Sequence, residues 1–346
     1  MKGLNKYDYF SRAKQESFNL SMQLNIRILT ILLFILGTNV VVNGQQVPTF
    51  THHTYTNMLI NPGFAGLGEG ICLNGIVRQQ WVGFEDPEGN NVAPETFLIT
   101  GDAPIKILHG GLGASIVQDK IAFYTDIGVN LGYSYHIDVG GANMGIGGSI
   151  NLLNRAADNS KFITSGVTGD GETEGNGSLS KAAKSDMLFD ANLGLFWQIP
   201  DSYYIGISVT NLLESKGKKL DDNSDVRFIS DRSFYFVTGY PFRIAGIQAY
   251  EFLPALQIIT NTSATVFNIS GTVSYNNRFW GGVNYRVTES VGLMIGMLIK
   301  DFRLGYSYDI NTLGYAKPGS HEICLGYCFK INTDKGIRTY RNIRYL

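Results

Sequence analysis

Few residues in this chain of 346 have the type and spacing that catalysis or metal binding requires. His321 and Glu322, with Asp309 on a predicted neighbouring strand, form a cluster that could support acid–base chemistry or bind a metal, but no further ligand is apparent. We interpret it as a hydrogen-bonded clasp at the outer end of the last hairpin. His52 and His53 are consecutive, so in an extended segment they point apart and cannot chelate one metal. We therefore predict no catalytic residue, metal site or cofactor, and no enzymatic activity.

Composition excludes two broad classes of protein. Charged residues make up 16% of the chain and aromatic residues 12%, with 41 glycines and a net charge of −1. A disordered chain would have few aromatic residues and a high net charge. A nucleic-acid-binding protein would need a clustered positive excess to neutralise phosphates, so no nucleic-acid partner is expected.

The N-terminal residues 1–44 have the layout of a secretory signal peptide. Arg27 precedes an apolar run over 28–36, and small or polar residues follow as far as Gly44. The run is shorter than the roughly 20 residues that span a bilayer, so we favour a cleaved signal over a membrane anchor. Met22 is an alternative start, because a short basic region already lies between it and the apolar run. Export leaves two classes, a secreted β-protein and an outer-membrane barrel.

Strict alternation of side chains favours the barrel. From Ile127 to Ile137 the odd positions are large and apolar, whereas the even positions are mostly glycine, serine or asparagine. A strand places alternate side chains on opposite faces. A soluble sandwich would carry many lysines and glutamates on its polar face, but a small polar face suits a barrel interior with lipid outside.

Segments with this pattern predict about 14 antiparallel strands. They lie near 70–78, 96–101, 110–117, 125–137, 142–152, 190–199, 203–210, 233–240, 246–258, 264–275, 278–287, 290–299, 301–310 and 322–329. The very long connections all follow odd-numbered strands, at 79–95, 153–189, 211–232 and 311–321. Short connections follow even-numbered strands, at 138–141, 200–202, 276–277 and 300. Bacterial outer-membrane barrels have long outer loops and short periplasmic turns, so both termini are expected in the periplasm.

A ring of aromatic residues supports the same topology. Outward-facing aromatic residues are predicted beside the short turns: Tyr135, Trp197, Tyr203, Tyr240, Tyr275, Phe279, Phe302 and Phe329. Such residues favour the level of the lipid headgroups, so the ring marks one membrane interface. We therefore predict an all-β transmembrane barrel over 70–329 in the outer membrane. Residues 45–69 are expected to be either periplasmic or a plug, and residues 330–346 a basic periplasmic tail.

Several short motifs follow one another in order along this predicted barrel. They are NPGFAG at 61–66, RQQWVGF at 78–84, GLG at 111–113 with DK at 119–120, YSYD at 306–309 and GSHEI at 319–323. In order and spacing they resemble the PorP/SprF family of type IX secretion system outer-membrane proteins of Bacteroidetes, over about 49–329. The chain departs from the family at Gly63 and Phe64, where alanine and tyrosine are more usual, and in an insertion-like stretch at 85–89.

The resemblance implies a non-enzymatic component that supports secretion or surface attachment of adhesins, and gliding motility. Its implied partners are other type IX secretion components, the secreted adhesin and the outer-membrane lipid. A periplasmic partner could bind through the basic tail. The candidate motif or interaction residues are Asn61, Pro62, Arg78, Gln80, Trp81, Gly83, Phe84, Tyr308, Asp309, Ser320, His321 and Glu322.

A diffusion porin or small-solute channel is the alternative function. A porin would line its constriction with opposed acidic and basic side chains. The predicted inward positions are instead crowded with glycines, which leave room for a plug or an inserted peptide. They are Gly128, Gly132, Gly145, Gly147, Gly194, Gly206, Gly282, Gly296, Gly305 and Gly326. We therefore expect no charged constriction.

The cysteines allow a disulfide bond at the seam of the barrel. Cys72, Cys324 and Cys328 all face inward by the alternation. Closure pairs the first strand with the last, and Cys72 and Cys328 both lie near the periplasmic ends of their strands. An exported protein enters an oxidising compartment, so a Cys72–Cys328 bond could persist. Three buried free thiols remain the alternative, because the stagger of the barrel cannot be read from the sequence.

Overall fold

A computed structural model describes the chain from residue 48 to residue 330, with gaps. The described residues are 48–68, 70–86, 89, 91–122, 124–157, 184–200, 202–219, 227–243, 249–312 and 319–330. The predicted signal peptide and all but the first residue of the predicted basic tail lie outside them, so both stay predictions. No helix among the described residues is long and apolar enough to cross a membrane.

Antiparallel strands dominate the described residues. They are β1 Gly70–Gln79, β2 Glu95–Ile105, β3 Gly110–Ile121, β4 Tyr124–Val139, β5 Ala142–Ala157, β6 Lys184–Ile199, β7 Tyr203–Thr210, β8 Lys216–Lys219, β9 Arg227–Ile229, β10 Ser233–Gly239, β11 Phe242–Arg243, β12 Tyr250–Asn261, β13 Thr265–Tyr275, β14 Phe279–Arg286, β15 Ser290–Ile299, β16 Phe302–Asn311 and β17 Ser320–Lys330. β8 and β9 form a separate hairpin, and β11 pairs only with β12.

The other strands close a 14-strand antiparallel barrel, which confirms the predicted fold class. Closure runs through β1 and β17, with Gly70 opposite Lys330, and through the pairing of β10 with β12. Strand ends differ from the sequence prediction at some positions. β6 begins at Lys184 rather than at residue 190, because its first residues extend the ladder with β5 beyond the clearly alternating part of the sequence.

Side chains follow the predicted alternation across the barrel wall. Leu131 on the outside is 53% exposed, whereas Ser134 on the inside is 0% exposed. The apolar outer surface is the face that lipid would cover. We call the end with the connections at 140–141 and 200–202 the short-turn end. The opposite end, where β1 and β5 end and β2 and β6 begin, is the long-loop end.

Residues 48–67, which we call the lumen segment, fill the inside of the barrel. The segment contains short helical turns at His53–Tyr55, Asn57–Ile60 and Pro62–Phe64. Its apolar side chains join inward-facing residues of the wall in a buried core cluster. That cluster consists of Met58, Ile60, Phe64, Ala65, Phe196, Tyr204, Tyr235, Val237 and Ile259. The segment therefore provides a hydrophobic core to an otherwise hollow barrel.

The lumen segment runs from the long-loop end to the short-turn end. Thr51 contacts Asp309 and Glu322, close to the long-loop ends of β16 and β17. Gln198, near the short-turn end of β6, donates a hydrogen bond to the carbonyl oxygen of Leu67 at 3.2 Å. The segment then leads into β1, which starts at the short-turn end. Residues 48–67 therefore lie inside the barrel and not outside its short-turn end.

Inward-facing glycines make room for the backbone of the lumen segment. A Cβ atom on Gly63 would lie 2.7 Å from the carbonyl oxygen of Gly145 and 2.9 Å from that of Gly194. Gly66 has a φ of +67°, a left-handed conformation that favours glycine, and a Cβ there would meet the backbone of Gly111. The glycines of the wall and of the segment therefore allow the two backbones to pack directly against each other.

Candidate functional site

Three charged residues inside the barrel form an ion-pair cluster at the β1–β17–β16 seam. Arg78 Nη2 lies 2.8 Å from Asp309 Oδ2, and Arg78 Nη1 lies 3.0 Å from Glu322 Oε2. The side chains are 3%, 3% and 0% exposed, respectively. One guanidinium thus compensates two buried carboxylates, and such carboxylates need further donors to offset their lost hydration.

The lumen segment supplies those further donors. The backbone N–H groups of Thr51 and His52 donate to the two carboxylate oxygens of Glu322, at 2.9 and 2.8 Å. The Thr51 hydroxyl donates to Asp309 at 2.7 Å, and His52 Nδ1 lies 2.6 Å from Glu322 Oε1. Hydrogen bonds to ionised groups are stronger than neutral ones. These contacts bind the part of the segment nearest the long-loop end to the wall. We call this group of residues the docking cluster (Thr51, His52, Arg78, Asp309 and Glu322).

The adjacent His53 makes a separate contact with the wall. Its Nε2 lies 2.9 Å from Ser270 Oγ. Burial lowers the pKa of His53 to about 3, and the positive charge of Arg286 acts in the same direction. Glu322 raises this pKa and His52 lowers it, but both act more weakly. His53 is therefore neutral when the segment is docked.

We predict that acidification weakens the docking of the lumen segment. A released His53 has a pKa near 6.5, so as the pH falls below that value the released state binds a proton that the docked state excludes. The loss should reach about 2 kcal/mol at pH 5. The protection factors of the amides of residues 48–60, which correct for the slower intrinsic exchange at low pH, should be lower at pH 5 than at pH 7.5. The His53→Asn variant should show a smaller pH effect, and an equal effect in both proteins would contradict the prediction.

Asn61 and Pro62, two of the residues singled out from the sequence, form the central turn of the lumen segment. Asn61 donates through Nδ2 to the carbonyl oxygens of Leu195 and Ile207, at 2.9 and 3.3 Å. Its Oδ1 accepts a hydrogen bond from the N–H of Gly63 at 2.9 Å. Pro62 occupies the first position of the helical turn, where its missing N–H costs nothing. The motif thus fixes the sharp bend of the segment against β6 and β7.

The short-turn half of the segment is held by polar side chains of the wall. Ser134 donates to the carbonyl oxygen of Gly63 at 3.0 Å, and His136 Nε2 lies 2.9 Å from that of Ala65. The N–H of Gly66 donates to Asp102 at 2.9 Å. The segment is therefore held by side-chain hydrogen bonds from both ends of the lumen.

The tryptophan motif lies in the connection between β1 and β2, at the long-loop end. The Trp81 N–H donates to Ser320 Oγ at 3.2 Å, and the Val82 N–H donates to the carbonyl oxygen of Gly319 at 3.0 Å. The rings of Trp81 and Phe84 are 5.9 Å apart. Among the other motif positions, Gln80 lines a cavity with Trp81, and Gly83 has a φ of +85°.

The interpretation of His321 as part of a clasp with Glu322 and Asp309 is wrong. His321 lies on the outer face, where its Nδ1 is 2.7 Å from the Tyr306 hydroxyl and its ring 5.1 Å from that of Tyr308. Consecutive residues of a strand point to opposite faces, so Glu322 alone enters the lumen. Asp309 and Glu322 meet through Arg78 and the lumen segment instead.

Two further features of the lumen differ from the sequence analysis. The inward face carries opposed charges, among them Arg78, Asp309 and Glu322, but they pair with one another and with the lumen segment. Sequence reasoning also missed Thr51 and His52 as their partners. The sequence did carry a signal for such partners. The alternation places three charged residues on the inward face, and buried charges need partners. No group of three His, Cys, Asp or Glu side chains in the described chain could hold a metal.

Cys72 and Cys328 lie directly opposite each other across the β1–β17 seam. Their Cα atoms are 4.1 Å apart and their sulfurs are within bonding distance, whereas Cys324 is a buried free thiol. We predict that the mature protein contains this disulfide. Non-reducing mass spectrometry should recover a peptide that joins the two cysteines, with only Cys324 alkylated after denaturation. Alkylation of Cys72 without prior reduction would contradict the prediction.

The sequence matches a family model described as type IX secretion system membrane protein PorP/SprF over residues 42–327. No curated protein matches this chain. Among solved structures, the toluene transporter TbuX of Ralstonia pickettii is 14% identical, with 79% of this chain and 93% of that chain covered and a TM-score of 0.49. Omp33 of Acinetobacter baumannii is 9% identical, with 76% and 100% covered and a TM-score of 0.41. A FadL homologue of Pseudomonas aeruginosa is 10% identical, with 83% and 96% covered and a TM-score of 0.42.

Proposed function

Because the chain belongs to the PorP/SprF family of type IX secretion system membrane proteins, we propose that it is a non-enzymatic, plugged barrel that supports secretion or surface attachment of adhesins. The protein is a membrane component of that secretion system and lies in the outer membrane. Its partners in this role are other secretion components and the secreted adhesin. The same role includes a contribution to gliding motility.

The observation that carries the proposal is the occupied lumen. Residues 48–67 fill the barrel with a hydrophobic core, and the docking cluster holds them to the wall through buried charges. An open diffusion pore would need the same inward charges to line a water-filled constriction. Here those charges contact the chain itself, which favours a structural or docking role over solute diffusion.

A deletion strain tests the proposal against the porin alternative. Loss of the gene should leave adhesin trapped inside the cells, while the uptake of small hydrophilic solutes stays unchanged, and complementation should restore surface adhesin. If solute uptake falls and surface adhesin is unchanged, the protein is a porin.

The basic tail, which lies outside the described residues beyond Lys330, is proposed to bind a periplasmic component of the same system. It carries Lys335, Arg338, Arg341 and Arg344 against Asp334. Truncation after Asn332 should leave the barrel assembled but reduce adhesin secretion. Full secretion by the truncated chain would show that the tail is dispensable.

A further inference from the structure

A cavity of about 680 Å³ opens at the long-loop end of the barrel, beyond the lumen segment. Pro48, Thr49, Leu59 and Ile60 of the segment contribute to its lining. We call this cavity the vestibule; its wall combines apolar side chains, among them Val117, Ile121 and Leu153, with the polar and aromatic residues Trp81, Asp119, Tyr124, Asp126, Asn130 and Asn151. We propose that the vestibule is a binding site for a neutral saccharide. The proposal does not depend on the role of the barrel in secretion.

The size and place of the vestibule suit a small-molecule site. Such sites enclose roughly 300–1,000 Å³ and occur in the mouths of β-barrels. Because the lumen segment closes the vestibule on the inner side, a ligand would bind there without passing through the barrel. The volume accommodates a short oligosaccharide.

A row of amides on adjacent strands provides the hydrogen-bonding groups. Asn192 donates to Asn130 at 2.9 Å, and Asn151 donates to Asn211 at 3.1 Å. These bonds hold the amides in place before a ligand arrives. Asn151 Oδ1 is buried and accepts no hydrogen bond within the described part of the chain. Sugar hydroxyls are both donors and acceptors, so they can satisfy such an amide oxygen.

Trp81 gives the vestibule an aromatic wall. Its backbone has a φ of 52°, an uncommon conformation for a bulky residue. The hydrogen bonds to Ser320 and Gly319 described above hold this backbone in place. An indole ring offers a large flat apolar face, against which the C–H face of a pyranose ring can pack.

The charges of the vestibule favour a neutral ligand over an acidic one. Arg155 is engaged by Asp126 through hydrogen bonds from Nε and Nη2, at 2.9 and 2.6 Å. Asp119 accepts a hydrogen bond from Thr96 at 2.6 Å and adds a second carboxylate on the same wall. An acidic saccharide would therefore meet surplus negative charge.

The wall also disfavours an extended peptide as the ligand. Peptides that join a sheet need an exposed strand edge with unpaired backbone groups. The barrel is closed, and β2 to β7 pair on both sides along the wall of the vestibule. The polar groups that the wall does offer are side-chain amides and carboxylates, to which ligand hydroxyls can both donate and, at the amides, accept hydrogen bonds.

Isothermal titration of the purified full chain tests the proposal. The detergent should be lauryldimethylamine oxide, because detergents with sugar headgroups would compete. The probes are neutral tetrasaccharides of glucose, mannose, xylose and N-acetylglucosamine, with tetragalacturonate and tetra-alanine as acidic and peptide probes. At least one neutral probe should bind with a Kd below about 1 mM, and Trp81→Ala should weaken it about tenfold or more.

Trp197→Ala is the matched control, because Trp197 lies beside Tyr203 at the short-turn end, far from the vestibule. It should leave the affinity unchanged, and heat-modifiable migration on gels should show that both variants fold. The proposal is overturned if no neutral probe binds, or if tetragalacturonate binds as tightly as the best neutral probe. It is also overturned if Trp81→Ala binds like the wild type, or if tetra-alanine alone binds.

Discussion

Replacing Arg78 with alanine should lower the free energy of unfolding of the barrel by about 3–5 kcal/mol. Arg78 is the cation between the buried carboxylates of Asp309 and Glu322. Its loss removes the cation that pairs with both carboxylates, and among the described residues the hydrogen bonds from Thr51 and His52 are left to stabilise them. Urea titration of the folded barrel, followed by heat-modifiable migration on gels, measures this change.

Arg155→Ala is the matched control for this prediction. Arg155 pairs with Asp126 at 2.6 Å, but the two side chains are 13% and 23% exposed, so water can replace part of the lost interaction. We expect a clearly smaller loss of stability than for Arg78→Ala. Equal losses in the two variants would show that the docking cluster has no special role.

Replacing Gly147 with valine should displace the lumen segment and open the barrel. A Cβ atom at this inward position would overlap the backbone of Pro62 and Gly63. Backbone atoms cannot move aside as a flexible side chain can, so the central turn has to leave the wall. Liposomes that contain the variant should swell in a small sugar at a rate at least about tenfold above wild type, because the displaced segment no longer blocks the lumen.

Gly148→Val is the control, since it introduces the same side chain at the next residue of β5. A Cβ atom on Gly148 would point away from the lumen, with Leu193 Cδ2 as its nearest neighbour at 3.6 Å. This variant should swell as slowly as wild type. Rapid swelling of both variants, or of neither, would contradict the assigned role of Gly147.

Much of the barrel could be predicted from the sequence because its pattern is local. The alternation from Ile127 to Ile137 predicts β4, which the structure extends to Tyr124–Val139. The same alternation, applied to the first residues of the last strand, places Glu322 inside the barrel and His321 outside it. The misassigned clasp came from grouping neighbours in the sequence without that test.

The path of the lumen segment could not be predicted in the same way. Thr51 and Glu322 are 271 positions apart, and no local pattern links them. The inward glycines indicated only that a plug or an inserted peptide could pack against the wall. Which part of the chain fits there depends on backbone contacts such as Gly63 with Gly145, which form only after the barrel closes.

The central claim is that residues 48–67 occupy the lumen, and an engineered disulfide tests it most directly. A Cβ atom on Gly113 of β3 would lie 3.0 Å from the Cβ of Ala65, within reach of a disulfide after a small shift. The flexible end of Met58 can move aside. In a Cys324→Ala background, Ala65→Cys with Gly113→Cys should form a second disulfide in the native outer membrane. The pair Ala65→Cys with Gly148→Cys should not. Free thiols at both positions of the first pair, in a barrel that still contains the Cys72–Cys328 bond, would contradict the claim.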